Sequence, residues 1–246
     1  MRLDHYLVEQ NLVKSRSQAT DFIKRGLVKV SGDVQTKPGY NLSHDDFIEI
    51  VENTTFVSRA GEKLFKALLD LKLDLHDKIV IDIGSSTGGF TDCVLKQGAK
   101  EVYAYDVGKD QMDLSLRRDP RIHLYEETNI LDVTIPDADL ILIDVSFTSI
   151  KPIFKHIEGF SKEIIALIKP QFEAGPIHFK KGVLKDEKLH HKILIDVISY
   201  AVSLGFCPIK LLKSELKGKQ GNQEYLLYIK PSQSMINIER FVGNSI

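Results

Sequence analysis

A short apolar segment that runs directly into a glycine-rich turn constrains the fold of this chain more than any other feature. A strand is predicted over 79–83, and Gly84, Gly88 and Gly89 follow it before a helix predicted over 91–97. An apolar run of this length suits a strand buried on both faces of a parallel sheet. The glycines let the backbone approach a ligand closely, and the helix N-terminus offers free N–H groups. The sequence therefore predicts a ligand site at the end of this strand.

Further strands alternate with helices along the rest of the chain. Strands are predicted over 101–106, 139–145, 163–168 and 224–229, and a long amphipathic helix over 188–204. This alternation predicts the α/β class, with a Rossmann-like open sheet that binds ligands at the carboxyl ends of its strands.

The N-terminal residues have a different pattern and predict a separate small α+β domain. Ser15 or Ser17 is expected to cap the second of two short helices, and Gly26 to end it. Strands are predicted over 27–30 and 47–51. The predicted organisation is a first domain over 1–52, a linker over 53–57 and a second domain over 58–246.

Charge is spread unevenly along the 246 residues, although the net charge is only −1. Residues 1–38 carry seven Lys/Arg against four Asp/Glu, residues 39–150 carry eleven against twenty-one, and residues 151–246 carry fifteen against nine. The two basic ends are consistent with surfaces that bind a polyanion, and the acidic middle with a solvated face.

Several classes of protein are disfavoured by composition. The longest apolar run, around 140–145, is far shorter than the ~18 residues of a membrane span, and the N-terminus lacks an apolar signal core. Cys93 and Cys207 make neither a disulfide framework nor a zinc site, and His178 and the pair 190–191 have no third ligand at metal spacing. We therefore expect a cytoplasmic protein with no membrane contact and no metal, whose oligomeric state the sequence leaves open.

The glycine turn and the next strand predict an adenosine cofactor. The Gly-x-x-x-Gly-Gly spacing differs from the Gly-x-Gly-x-x-Gly of dinucleotide enzymes. Asp106 closes the second strand, where a carboxylate can accept both ribose hydroxyls. S-adenosylmethionine is favoured, with an NAD-dependent oxidoreductase as the alternative, although each glycine alone also fits a tight turn. The predicted cofactor contacts are Asp82 at the amino-acid end, the turn residues Gly84, Ser85, Thr87, Gly88, Gly89 and Phe90, Asp106, Asn129 at the adenine, and Asp144.

Two lysines and two carboxylates are predicted to meet at the same sheet edge. Asp144 and Lys169 each follow a predicted strand, Lys63 lies near the start of a helix before the first strand, and Glu224 begins the late strand. A lone lysine or glutamate at a strand end is more often a surface residue. Four such groups in one cleft would instead alter each other's protonation, as catalytic groups do.

The basic residues near the second helix lie in a pattern that resembles the S-four RNA-binding domain. The pattern comprises Arg2-Leu3-Asp4, Ser15-Arg16, then Ile23, Gly26, Val28, Val30 and Gly32, and finally Lys37-Pro38. Lys24 and Arg25 also suit the last turn of a helix, where they interact favourably with its dipole. The resemblance implies docking on structured RNA through phosphate contacts. The predicted RNA contacts in this domain are Arg2, Lys14, Arg16, Lys24 and Arg25. Outside it, RNA contacts are predicted for Lys180 and Lys181, in a basic loop after a strand, and for Arg59, with capping of the linker as the alternative.

Five longer stretches resemble the hemolysin A (TlyA) family of ribosomal RNA 2′-O-methyltransferases, whose core is related to the FtsJ enzymes. They are VSRAGEKL at 57–64, DIGSSTGGFTD at 82–92, DVSF at 144–147, KPQFE at 169–173 and GNQEYLL at 221–227. The resemblance implies S-adenosylmethionine-dependent methylation of a cytidine ribose, with ribosomal RNA or ribosomal subunits as partners. It also implies that Lys63, Asp144, Lys169 and Glu224 are catalytic.

The acidity of the attacked hydroxyl defines the roles expected of these four residues. Lys169 is expected to take the proton of the ribose hydroxyl, with Lys63 as a second ammonium that favours its neutral amine. Asp144 would orient Lys169, and Glu224 would hold Lys63 and the ribose. Two alternatives stay open: an inactive RNA-binding ribosome-assembly factor, and a membrane-active hemolysin, for which no spanning segment is predicted.

Overall fold

The computed structural model describes residues 1–13, 15–24, 26–50, 56–174, 183–218, 220–232 and 236–245. The chain divides into two units, Met1–Thr55 and Phe56–Ile246. The domain bounds inferred from the sequence remain predictions. Several predicted features lie outside the described residues: the RNA contacts Lys14, Arg25, Lys180 and Lys181, and residues 53–55 of the linker.

The N-terminal unit contains two short helices and a small antiparallel sheet, which share one apolar core. Ser15, one of the two predicted caps, accepts the Gln18 backbone N–H at 3.2 Å. The two-residue strand Asp33–Val34 was not predicted, and both of its residues are exposed. The elements are α1 (Leu3–Glu9), α2 (Arg16–Lys24), β1 (Val28–Val30), β2 (Asp33–Val34) and β3 (Ile48–Ile50), with sheet order β2-β1-β3.

A seven-stranded sheet forms the centre of the second unit and confirms the predicted α/β fold. Its strands are β4 (Ile79–Ile83), β5 (Glu101–Tyr105), β6 (Ile122–Tyr125), β7 (Leu140–Ile143), β8 (Glu163–Ile168), β9 (Phe206–Lys213) and β10 (Tyr225–Pro231). Their spatial order is β6-β5-β4-β7-β8-β10-β9. Strands β4 to β8 pair in parallel, whereas β10 is antiparallel to both β8 and β9.

Strands β6 and β9 were not delineated by the sequence, and both are outer strands of the sheet. The residues of β6 are only partly buried, so they carry no continuous apolar run. Strand β9 contains Pro208, which normally argues against a strand. Here the proline lies on an edge strand, next to an irregularity in the pairing of β9 with β10, where a missing N–H donor is tolerated.

Helices cover both faces of this sheet because alternate residues of the central strands point to opposite sides. Val80 packs with Leu64 and Phe90 on one face, and Ile81 packs with Phe154 and Leu194 on the other. The helices are α3 (Arg59–Leu71), α4 (Gly89–Lys96), α5 (Leu114–Arg117), α6 (Lys151–His156), α7 (Pro170–Glu173), α8 (Glu187–Ser203) and α9 (Ile238–Gly243), with a 3-10 turn at Ile130–Asp132.

The strand order brings the predicted site to one edge. From β4 the chain continues to β5 and β6 on one side, and then returns to β7 on the other. The crevice at the carboxyl ends of strands where the order reverses is the usual ligand site of such sheets. Because β10 is antiparallel, its first residue lies at the same edge as the last residues of β4, β7 and β8.

Candidate active site

The glycine turn after β4 passes directly beside the end of β7. Gly84 has φ +85°, and a Cβ there would lie 2.8 Å from the carbonyl oxygen of Asp144. Only glycine fits this position without strain. The backbone N–H groups of Gly84 and Ser85 both donate to the Tyr105 carbonyl, at 2.8 and 3.1 Å. Helix α4 then begins at Gly89, two residues earlier than predicted.

Asp106 follows β5 directly, and its carboxylate organises the turn. Oδ2 accepts the Ser86 N–H at 2.8 Å, and Oδ1 accepts the Gly108 N–H at 2.6 Å. Each carboxylate oxygen has two lone pairs, so both oxygens retain capacity for a ribose hydroxyl. The geometry is therefore set before a ligand arrives.

Asp82 is held inside the structure. Its side chain is fully buried, and Oδ2 accepts both the backbone N–H of Thr91 at 3.0 Å and its hydroxyl at 2.6 Å. Burial raises the pKa of Asp82 to about 7, and the nearby carboxylates of Asp144 and Asp106 act in the same direction.

Three other residues predicted to contact the cofactor differ from one another in where their side chains lie. The Phe90 side chain is 2% exposed and packs in the core, and its predicted cofactor contact stays a prediction. Asn129 caps the 3-10 turn by accepting the Leu131 N–H at 3.1 Å. Thr87 is exposed, and its carbonyl accepts the Asp113 N–H at 3.2 Å.

Lys63 and Glu224 form the first of two buried ion pairs. Lys63 lies on the buried face of α3, close to Leu64 and Leu68, and is 9% exposed. Its Nζ lies 2.5 Å from Oε2 of Glu224, which is 4% exposed. Two charges this far from water require each other, so the pair fixes both side chains.

Lys169 and Asp144 form the second ion pair. Lys169 Nζ lies 2.6 Å from Asp144 Oδ1 and donates to Ser146 Oγ at 2.9 Å. This ion pair balances the charge of Asp144, but Oδ1 has no hydrogen-bond partner among the described residues. Sequence reasoning missed Ser146, which the β7–β8 register places beside Lys169.

The two ion pairs are neighbours at the sheet edge. Tyr225 of β10 pairs with Ile168 of β8, so Glu224 and Lys169 are the next residues at this end of the two strands. The four charged residues predicted to converge therefore occupy one region, beside the glycine turn.

Buried polar atoms without a hydrogen-bond partner are concentrated at this edge. Among the described residues they are Asp82 Oδ1, Ser85 Oγ, Asp144 Oδ1 and Gln171 Oε1, each within three residues of the carboxyl end of β4, β7 or β8. Such atoms are normally bonded in folded proteins, so their clustering indicates a region built for a polar ligand. Ser85 is already among the predicted cofactor contacts, whereas Gln171 was not predicted from the sequence.

An aromatic pair lies beside Lys169. Phe147 is 85% exposed with φ 65°, and its ring centre lies 5.1 Å from that of Phe172. Lys169 Nζ lies 5.9 Å from the centre of the Phe172 ring. An exposed aromatic residue held in a left-handed conformation is unusual away from functional sites. The sequence offered no signal for Phe147 beyond its place in the DVSF stretch.

The predicted RNA contacts of the N-terminal unit are organised around one acid. Asp4 is buried and pairs with Arg2 Nε and Arg16 Nη2, each at 3.0 Å. The Arg2 guanidinium, assisted by Arg16, lowers the pKa of Asp4 to about 2. The side chains of Arg2 and Arg16 remain 50% and 58% exposed despite these ion pairs. Lys24 is exposed, and Arg59 in the second unit is partly buried at the start of α3.

Neither a membrane-spanning helix nor a metal cluster is found in the part of the chain that the structure describes. The sequence prediction that no metal is bound stays a prediction.

Comparison with known proteins extends over both units. The FtsJ-like methyltransferase family model matches residues 56–230, and the S4 domain model matches residues 1–48. Hemolysin A of Brachyspira hyodysenteriae is 43% identical over 241 residues, which cover 93% of this chain and 99% of the relative. The 16S/23S rRNA (cytidine-2′-O)-methyltransferase TlyA of Mycobacterium tuberculosis is 35% identical over 240 residues, covering 93% and 89%.

A solved structure from Streptococcus thermophilus has the same architecture. It matches with a TM-score of 0.77 at 35% identity, covering 99% of this chain and 94% of that one. Together with the match across residues 56–230, these similarities show that the chain belongs to the FtsJ-like methyltransferase family.

Proposed function

We propose that this protein transfers a methyl group from S-adenosylmethionine to the 2′-hydroxyl of a cytidine in ribosomal RNA. The observation that carries the proposal is the pair of adjacent ion pairs, Lys63–Glu224 and Lys169–Asp144, beside the glycine turn. The TlyA relative named for this reaction supports the choice of substrate.

The residues present fit the cofactor. Asp106 is proposed to accept the ribose hydroxyls, and Ser85 Oγ and Asp82 Oδ1, which have no hydrogen-bond partner among the residues that the structure describes, are proposed to bind the amino-acid end. S-adenosylmethionine supplies a methyl group that is already activated by its sulfonium charge. The protein therefore has to orient the hydroxyl and remove its proton.

Lys169 is the proposed base. Its amine takes the hydroxyl proton as the ribose oxygen attacks the methyl carbon, and Asp144 and Ser146 hold its position. Lys63 holds Glu224, which is proposed to accept from the ribose.

Substrate RNA is proposed to contact both units. Arg2 and Arg16 expose guanidinium groups suited to phosphate, and Lys24 and Arg59 are further proposed contacts. Phe147 offers an exposed ring beside Lys169, suited to stack on a base that has left its helix. A ribosomal substrate also implies that the protein works in the cytoplasm.

The direct test is methyl transfer to ribosomal subunits. Purified protein, tritiated S-adenosylmethionine and isolated small or large subunits lacking the modification should yield labelled RNA. Alkaline hydrolysis should then leave the label in a dinucleotide, because a 2′-O-methyl group blocks cleavage at the next phosphate. Label in mononucleotides would indicate base methylation, and absence of label would favour an inactive assembly factor; either result contradicts the proposal.

A further inference from the structure

His190 is a buried titratable residue that the proposed mechanism does not use. It lies on α8 and is 4% exposed. Nε2 lies 3.0 Å from the Leu184 carbonyl oxygen, and Nδ1 lies 3.0 Å from the Tyr225 hydroxyl. A carbonyl oxygen can only accept a hydrogen bond, so in a neutral His190 ring the hydrogen lies on Nε2. Nδ1 then accepts a hydrogen bond from the Tyr225 hydroxyl.

Hydrogen bonds at the start of α8 hold the helix turn that contains His190. Asp186 caps α8 by accepting the N–H groups of Lys188 and Leu189, at 2.9 and 3.2 Å. The backbone N–H of His190 donates to the Asp186 carbonyl at 3.0 Å. The ring also meets Tyr225 edge to face, with centres 5.8 Å apart at 81°. The imidazole is therefore fixed in position and orientation.

Both hydrogen-bond partners of His190 lead to Glu224. Tyr225 is the next residue in the chain and is 3% exposed. On the other route, the Leu184 N–H donates to Asn222 Oδ1 at 2.8 Å, and the Asn222 carbonyl accepts the Gly218 N–H at 2.9 Å. The backbone of Gly218 passes so close to the Glu224 carboxylate that a side chain at 218 would overlap it.

We propose that His190 is a positioning residue, which holds Glu224 in place for its ion pair with Lys63. This inference rests on the proposed function, because it assigns a role within that same site. An ordinary core histidine would also be hydrogen-bonded, but here both bonds converge on the segment that presents one charged residue. Loss of the imidazole would leave the Leu184 carbonyl and the Tyr225 hydroxyl to find new partners, and the segment carrying Glu224 would shift.

The test compares His190→Phe with two related variants. His190→Phe keeps an aromatic ring near Tyr225 but removes both hydrogen bonds, whereas Tyr225→Phe removes only one. His191→Phe is the matched control, because it introduces the same residue at the next, partly exposed position of α8. We expect His190→Phe to lower kcat by about 10- to 100-fold, the scale of a misplaced catalytic group, with the Kd for S-adenosylmethionine unchanged. Tyr225→Phe should have a smaller effect, and His190→Gln, which retains a donor and an acceptor, should recover part of the rate.

Amide hydrogen exchange provides a readout that does not depend on catalysis. In His190→Phe the amides of residues 221–225 should exchange faster than in the wild-type protein, while those of β4 are unchanged. If the wild-type protein transferred no methyl group, the proposed function would fail. The exchange measurement would still test whether His190 holds the segment that carries Glu224. An unchanged kcat and exchange pattern in His190→Phe would overturn the inference. So would a uniform loss of cofactor affinity, rate and protection, which would indicate a merely structural role.

Discussion

Lys169 contacts a carboxylate and a hydroxyl in the structure. A lysine in this position can serve as a fixed positive charge or as a base, and only the base has to give up a proton first. Replacement by arginine separates these roles, because arginine keeps the positive charge and can bond Asp144 but does not lose its proton in a protein. We expect Lys169→Arg to lower kcat by roughly 10²- to 10⁴-fold, the usual contribution of a general base. The Kd for S-adenosylmethionine, measured by calorimetry, should change little.

Lys169→Ala provides the comparison. It removes both base and charge and should be at least as slow as Lys169→Arg. If Lys169→Arg instead kept a rate near that of the wild-type protein, Lys169 would act as a fixed cation and another group would have to take the proton.

Asp106 permits a prediction about the cofactor rather than the chemistry. Both of its oxygens accept backbone N–H groups, so Asp106→Asn would turn an amide donor toward Ser86 or Gly108 and also remove the charge. We expect the Kd for S-adenosylmethionine to rise about 10- to 100-fold, since hydrogen bonds to charged groups contribute about 1.5–3 kcal/mol.

Asp110→Asn makes the same charge change in the same loop and serves as the control. Its carboxylate faces Arg117 at 3.6 Å and is largely exposed. Calorimetry should find its cofactor affinity close to that of the wild-type protein. Equal losses in the two variants would mean that Asp106 acts only through overall charge.

Individual residues of the site were predictable where a strand end marked them. Asp144 and Lys169 follow apolar runs that are unambiguous in sequence, and the structure places both at the expected edge. Ser146 and Gln171 could not be found in this way, because their positions depend on the register between strands and on the turn into α7. A sequence pattern predicts where a strand ends, but it does not predict how one strand is aligned with the next.

At the scale of elements, strand direction is the feature that completes the site. The sequence predicts a late strand beginning at Glu224 but does not give its direction. In a parallel arrangement the start of that strand would lie at the opposite edge from Asp144 and Lys169. The antiparallel pairing of β10 with β8 brings Glu224 to the edge where Lys63 of α3 can reach it.

An ion pair also connects the two N-terminal helices. Asp4 on α1 pairs with Arg2 and with Arg16 on α2, so a single acid aligns two guanidinium groups. General electrostatics would predict that loss of an acid strengthens binding to RNA. We expect the opposite for Asp4→Asn: weaker binding of ribosomal RNA, because its neutral side chain no longer aligns the two arginines.

Binding should be measured as a function of salt concentration for Asp4→Asn and for Asp33→Asn. The second variant removes the same charge from an exposed residue of β2. Asp33→Asn should bind as well as the wild-type protein or slightly better. Tighter binding by both variants would show that Asp4 does not organise the RNA contacts.

At the scale of the whole molecule, the uneven charge of the sequence acquires a structural meaning. The acid-rich residues 39–150 include Asp82, Asp106 and Asp144, and the fold gathers all three near the ends of β4, β5 and β7. Composition alone allowed an acidic solvated face. The structure instead shows that part of this charge is concentrated at the proposed site of a cationic cofactor, where burial, together with the carboxylates of Asp144 and Asp106, raises the pKa of Asp82.

This concentration of charge makes global stability depend on pH through Asp82. Burial raises the pKa of Asp82 from 3.8 to about 7, so between these values the folded protein keeps a proton that the unfolded chain has lost. The free energy of unfolding should therefore fall as pH rises through this range, by up to about 1.4 kcal/mol per pH unit from this residue, and the residue should add no further slope above it. Asp82→Asn keeps an oxygen for Thr91 and cannot ionise, so it should lack this component.

Urea denaturation of both proteins at pH 5, 6, 7 and 8 isolates the effect of Asp82 from that of every other titrating group. We expect the stability of the wild-type protein relative to Asp82→Asn to decrease from pH 5 to 7 and then to level off. Parallel curves for the two proteins would show that Asp82 ionises at its ordinary pKa despite its burial. The same measurement with saturating S-adenosylmethionine should shift the slope toward lower pH, because a bound cationic ligand favours the carboxylate form.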